Sequence, residues 1–150
     1  MPIINWVTFQ IKIVTNERDE FDKFSCLRMI IFIMDDSLGP NECLAVGETL
    51  VSANGCFRLI MQGDGNLVIY RQSNNKAIWS SKTSRTCTNR ACMQGDGNFV
   101  TYDCHDKATW ASKTSKKEGS WIIMQGDGNL VVYAWQSTRA FWSSKTVTYC

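Results

Sequence analysis

Apolar residues alternate with polar ones in short runs separated by glycine turns, and the pattern recurs three times after about residue 41. In the first run Phe57, Leu59 and Met61 share one parity. Gly63-Asp64-Gly65 interrupts it, and Leu67 and Ile69 then resume opposite Asn66, Val68 and Tyr70. Side chains on a strand point to alternate faces, so this pattern predicts a β-hairpin with one apolar face. Asp-Gly between the runs supports the hairpin, because its turn needs a positive φ. A polar loop over 71–76 leads to a third strand carrying Trp79. The same order recurs over 91–112 and 121–144, and a further strand is expected at 43–50, where Leu44-Ala45-Val46 precedes Gly47.

Two motifs keep step through these runs. Met-Gln-Gly-Asp-Gly-Asn begins at Met61, Met93 and Met124, placing Gln62, Gln94 and Gln125 32 and 31 residues apart. A Trp-Ser/Ala-Ser-Lys-Thr segment starts at Trp79, Trp110 and Trp142, which follow those glutamines by 17, 16 and 17 residues. A fixed period that repeats polar and aromatic positions means one supersecondary unit used three times around a shared core. Trp79, Trp110 and Trp142, with apolar neighbours at a common spacing, are assigned to that core. Trp121 and Trp135 do not recur and stay open between core and a sugar-stacking platform.

Before Gly39-Pro40 no repeat is detectable. Phe21, Phe24, Leu27, Ile31 and Met34 fall at helical spacing behind Asn16 as a cap, which predicts a helix over 17–34, with a buried strand over 29–34 as the alternative. The chain thus divides into an N-terminal extension, 1–40, with no assigned function, and a repeat domain, 41–150. Residues 1–14 are apolar but interrupted by Gln10 and Lys12, and read poorly as a signal peptide. No apolar run approaches the ~18 residues of a membrane span.

A formal charge of +2 carries no nucleic-acid footprint. Of seven cysteines, Cys26 lies in the extension, and Cys43, Cys56, Cys87, Cys92, Cys104 and Cys150 lie in or beside the repeats. Six cysteines allow about 15 pairings. Their spacing does not resemble a zinc site, since His105, the single histidine, has only Cys104 beside it. Disulfides in an oxidising compartment are the favoured reading, hence an extracellular or secreted protein; free thiols in the cytoplasm are the alternative.

Opposite the apolar face, each hairpin gathers two amides, a carboxylate, a valine and a phenol. Such a set suits a hydroxylated ligand. A carboxylate accepts two strong hydrogen bonds, the amides donate and accept, a phenol does either, and valine meets the C–H face of a sugar ring. Nothing in it is a paired acid and base, and no nucleophile stands beside His105, so an enzyme is not expected. The spacing and terminal Glu of an EF-hand calcium loop are also missing. Turn chemistry alone would explain Gly-Asp-Gly-Asn. It does not explain why Gln and Tyr recur at fixed offsets in all three copies.

The fifteen positions Gln62, Asp64, Asn66, Val68, Tyr70, Gln94, Asp96, Asn98, Val100, Tyr102, Gln125, Asp127, Asn129, Val131 and Tyr133 match a Gln-x-Asp-x-Asn-x-Val-x-Tyr signature. In this the chain resembles the bulb-type, monocot mannose-binding lectin family, from about Cys43 to Thr146. The resemblance implies an all-β fold, β-prism II: three antiparallel sheets about a pseudo-threefold axis, tryptophans at the centre, one carbohydrate pocket per sheet. It implies mannose-containing glycans or glycoproteins as partners, no cofactor and no metal, and a homodimer made by exchanging C-terminal strands. A protein-interaction module on the same prism, its sugar pockets incidental, is the alternative function. Gly65 stands where the family commonly places a disulfide cysteine, so the family's usual bridge is not available. A bridge between the two ends, Cys43 to Cys150, is one arrangement that remains.

Overall fold

In the computed structural model, which describes residues 35–150, the chain enters through three short strands. These are β1 (Ser37–Leu38), β2 (Glu42–Ala45) and β3 (Thr49–Val51), and each joins a different sheet. The first repeat then forms β4 (Phe57–Met61), β5 (Leu67–Arg71) and β6 (Lys76–Ser80). The second forms β7 (Thr88–Met93), β8 (Phe99–Asp103) and β9 (Ala108–Ala111), and the third β10 (Trp121–Met124), β11 (Leu130–Tyr133) and β12 (Ala140–Ser143). The sheets run β3-β4-β5-β6, β2-β7-β8-β9 and β1-β10-β11-β12, with antiparallel pairing throughout. This is the β-prism II arrangement: each repeat builds three strands of one sheet, and the lead-in adds an edge strand to all three.

Two expectations change here. The strand placed over 43–50 is two strands, β2 and β3. Gly47, at φ +88°, lies in the turn between them and carries the chain from one sheet to the next. Strands this short complete too few alternations for the break to show. The repeat domain also starts earlier than residue 41: the compact unit is Asp35–Cys150, because Ser37 and Leu38 pair with Ile123 and Ile122 and Leu38 is buried. The helix expected over 17–34 and Cys26 lie outside the described residues.

Phe57, Leu59, Met61, Leu67 and Ile69 of the first sheet are wholly buried. Their counterparts Met93 and Phe99, and Ile122, Met124, Leu130 and Val132, meet them at the centre. Trp79, Trp110 and Trp142 form a closed triangle there, ring centroids 5.4, 5.4 and 5.9 Å apart and all edge-to-face. This geometry sets the positive ring edge of one indole against the negative face of the next, about 0.5–1.5 kcal/mol per pair beyond area burial.

A β-bulge precedes each of these tryptophans. Ile69 pairs with Trp79 and Tyr70 with Ala77, so Ile78 is the extra residue; Thr109 and Phe141 occupy the same place in the other sheets. A bulge re-aims the side chains around it, and Ile78 packs against the core beside Trp79. The second repeat places Thr101 at the wholly buried position held elsewhere by Ile69 and Val132. The bulge residue Thr109 answers it with a hydroxyl 2.8 Å from that of Thr101, and Thr88 joins the network at 3.0 Å. A buried hydroxyl left alone would be costly, so two polar substitutions in one place are tolerated where one would not be.

The disulfides are Cys43–Cys92, Cys56–Cys150 and Cys87–Cys104. A Cys43–Cys150 bridge is therefore excluded. Cys43 stands directly across the β2–β7 ladder from Cys92, while the C-terminal segment runs past the third hairpin turn to Cys56.

Candidate functional site

The three hairpin turns are built alike. Gln62 and Asn66 close the first, with Gln62 N–H donating to the Asn66 carbonyl at 2.9 Å and Gly65 N–H to the Gln62 carbonyl at 3.1 Å. Gly65, Gly97 and Gly128 adopt φ of +86°, +88° and +83°. At Gly65 and Gly97 a side chain would also collide with a carbonyl oxygen, of Thr86 and Lys117 respectively. Glycine is required there for conformation and for space. The turn is the three-residue Gly63-Asp64-Gly65, in which Asp64 precedes the positive-φ residue.

Within each copy the five signature residues come together, and each polar one has part of its hydrogen-bonding capacity fixed by the fold. Asp64 Oδ1 accepts the Asn66 N–H at 2.9 Å, and Asp96 and Asp127 do the same to Asn98 and Asn129 at 3.0 Å. Asn66 Oδ1 accepts from Ser81 Oγ and from Thr83 N–H, both at 3.2 Å. Asn98 repeats this with Ser112 and Thr114, and Asn129 with Ser144 and Thr146. Gln62 and Gln125 donate through Nε2 to Tyr70 and Tyr133 hydroxyls at 2.9 Å, and Gln94 donates likewise to Tyr102.

What remains is regular. Each aspartate keeps its second carboxylate oxygen, each asparagine its NH₂, each glutamine its carbonyl oxygen and each tyrosine its O–H proton. The aspartates are exposed, while the glutamines, asparagines and tyrosines are half-buried. Val68, Val100 and Val131 are only 2–3 % exposed. They are the floor, offering less apolar surface than the alternation suggests.

Ser81, Thr83, Ser112, Thr114, Ser144 and Thr146 orient the asparagines, and sequence reasoning did not assign them to the site. Their signal was present: the Ser and Thr of the Trp-Ser/Ala-Ser-Lys-Thr segment recur in all three copies. The lysines between them, Lys82, Lys113 and Lys145, adopt φ of +59°, +60° and +58°. This left-handed step lets Ser and Thr both turn back on one asparagine, at the cost of about a kcal/mol or more for a non-glycine residue.

The copies differ at their edges. Opposite Tyr70 across the ladder stands Arg58, opposite Tyr102 Arg90, and opposite Tyr133 Trp121. The guanidinium carbons lie 5.4 Å and 4.8 Å from the tyrosine ring centroids, and Trp121 meets its tyrosine at 5.9 Å. Two concavities border the third copy. One is lined by Trp121, Tyr133, Ser137 and Thr138, the other by Asn54, Gly126, Asp127 and Val147–Cys150. Neither encloses a complete quintet. Trp135 is 61 % exposed.

His105 joins no quintet. Its Nδ1 lies 3.4 Å from Cys104 Sγ and 3.9 Å from Cys87 Sγ, the only metal-type cluster among the described residues. Those two sulfurs are bonded to each other. The loop is held instead by Asp103 Oδ1, which accepts the Lys107 and His105 N–H groups at 2.9 Å. These bonds, Lys107's first, keep the Asp103 carboxyl below the usual carboxylate range.

A monomeric monocot mannose-binding lectin from Gastrodia elata has the same architecture, with TM-score 0.68 and 39 % identity over 76 % of this chain and 100 % of that one. The chain belongs to the bulb-type lectin family. The mannose-specific snowdrop agglutinin, Galanthus nivalis, solved with methyl-α-D-mannoside, has 38 % identity and TM-score 0.61 over 76 % of this chain and 99 % of its own. The B-type lectin plumieribetin of Scorpaena plumieri is 35 % identical over 66 residues, which span 44 % of this chain and 56 % of that protein. No protein-family model matches the chain. Bulb-type lectins are carbohydrate-binding proteins rather than enzymes.

Proposed function

We propose that this bulb-type lectin domain binds mannose-containing glycans, without a metal, through three repeated hairpin pockets: Gln62 to Tyr70, Gln94 to Tyr102 and Gln125 to Tyr133. The observation that carries the reading is the division of labour in each quintet. The aspartate, asparagine and glutamine each have one polar atom held by the fold and another left free, and the tyrosine hydroxyl accepts from Gln while keeping its own proton to donate. A mannopyranose matches that set, with hydroxyls that both donate and accept. Each quintet has one carboxylate and otherwise neutral groups, a poor cradle for a divalent cation that seeks six or more oxygens.

A shallow site of about millimolar strength contributes roughly −4 kcal/mol. Three on one chain raise effective affinity for a dense glycan by about 10² or more when geometry allows. A homodimer would carry six. Three disulfides favour an extracellular or secreted setting.

Glycan-array binding with and without EDTA tests the proposal. Mannoside signals that survive chelation and fall with free methyl-α-mannoside are expected. Loss of signal on chelation, or no mannoside signal at all, contradicts it. A protein partner retained in the presence of free mannose would favour the interaction-module reading.

A further inference from the structure

The three pockets carry the same quintet but not the same charge. Among the described residues Arg90 has an ion-pair partner, Asp106 Oδ1 at 2.7 Å from Nη2, so the guanidinium beside Tyr102 is largely neutralised. Arg58 occupies the same place beside Tyr70 and has no carboxylate partner among those residues. Its Nη2 donates to Asn75 Oδ1, a neutral acceptor, at 3.3 Å, and its Nε is buried with no hydrogen-bond partner. Trp121 fills the third position. The register thus sets an uncompensated cation, a compensated cation and an indole at equivalent points, against the tyrosine whose hydroxyl completes each quintet.

We infer that the first pocket selects mannosides bearing an anionic substituent, a phosphate, sulfate or carboxylate, through Arg58, and that the second and third pockets take neutral mannosides. Asp64 stands at the turn end of the first pocket and Arg58 across from Tyr70 at the opposite end. An anionic group directed towards the tyrosine end therefore meets the cation and avoids the carboxylate. A guanidinium is suited to such a group because its planar donors match phosphate and carboxylate oxygens. The site is partly exposed and the attraction is screened by salt, so the preference is modest. The inference rests on the mannoside reading of the quintets.

The test isolates each pocket in the full-length chain. Asp96→Ala/Asp127→Ala leaves the first pocket, and Asp64→Ala/Asp127→Ala leaves the second. Each is titrated calorimetrically with methyl-α-mannoside and with mannose 6-phosphate at pH 7.5, at low and at high salt. The first pocket should prefer the phosphate about 3- to 10-fold at low salt, with the preference falling as salt rises. The second should show no preference, and adding Arg58→Gln to the first-pocket protein should abolish it. Arg58→Lys should retain part of it, which separates loss of charge from loss of fold. Equal affinities in the first pocket, or a preference that survives Arg58→Gln, overturns the inference and leaves the mannoside reading standing. If neither sugar binds any pocket, the mannoside reading fails and this inference with it.

Discussion

Asn66 Oδ1 accepts the backbone N–H of Thr83, 17 residues downstream, at 3.2 Å. This bond ties the end of the third strand of each repeat to the turn of its hairpin. Thr83 Oγ1 donates to the Gly65 carbonyl at 2.7 Å and lies 2.6 Å from Ser81 Oγ, which in turn accepts the Leu67 N–H at 3.0 Å. Ser112 with Thr114 and Ser144 with Thr146 repeat the arrangement. The second motif is thus the support on which the first is presented.

Thr83→Val keeps the backbone N–H to Asn66 but removes the hydroxyl, leaving the Gly65 carbonyl and Ser81 Oγ without that partner. A stability loss of about 1–3 kcal/mol in urea unfolding is expected. Methyl-α-mannoside should bind the first pocket several-fold more weakly, read from Tyr70 resonances in an NMR titration, although residue 83 touches no sugar. A stability loss with unchanged affinity would reduce Ser81 and Thr83 to packing.

The aspartates separate turn chemistry from ligand chemistry. Asp64→Asn keeps the side-chain oxygen that accepts the Asn66 N–H and removes the charge, so stability should stay within about 0.5 kcal/mol. Asp64→Ala loses the acceptor and should cost about 1 kcal/mol. Either change, extended to Asp96 and Asp127, should lower avidity for a mannan surface step by step in surface plasmon resonance. A triple Asp→Asn protein that binds as tightly as the unchanged chain would contradict the site assignment.

Period-two alternation was enough to put Leu67 and Ile69 inward and Asn66 and Tyr70 outward, and the common spacing of Trp79, Trp110 and Trp142 marked them as core. Three features escaped it. Strand β1 and the division of the expected 43–50 strand into β2 and β3 involve runs of two to four residues, and β1 and β2 join sheets whose other strands lie far along the chain. The bulge at Ile78 shifts parity by one residue without any glycine to announce it. Disulfide partners follow from inter-strand register, as at Cys43 opposite Cys92, and spacing along the chain does not encode that.

The C-terminal segment is fastened to its own chain beside the third turn. Thr148 N–H donates to the Asp127 carbonyl at 2.7 Å, Arg71 Nη2 donates to Thr148 Oγ1 at 2.6 Å, and Cys150 is bridged to Cys56. Cys56→Ser/Cys150→Ser should cost about 2–4 kcal/mol in thermal unfolding. It should also weaken the third pocket more than the first two, because the freed segment no longer steadies Asp127. Equal weakening of all three pockets would count against that link.

The loop over 104–107 gives a pH prediction. The folded Asp103 carboxyl titrates below its ordinary value, so its contribution is present above the unfolded pKa and is lost as pH falls through the folded value. The Lys107 amide-proton shift should follow the Asp103 carboxyl and move only below about pH 4. Low-pH movement that persists in Asp103→Asn would contradict this.

The most direct measurement is a crystal of the full chain soaked in methyl-α-mannoside. The expected result is sugar density in all three quintets, its hydroxyls on the second aspartate oxygen, the asparagine NH₂, the glutamine carbonyl and the tyrosine hydroxyl. Sugar bound elsewhere, or quintets that stay empty at saturating ligand, would contradict the account.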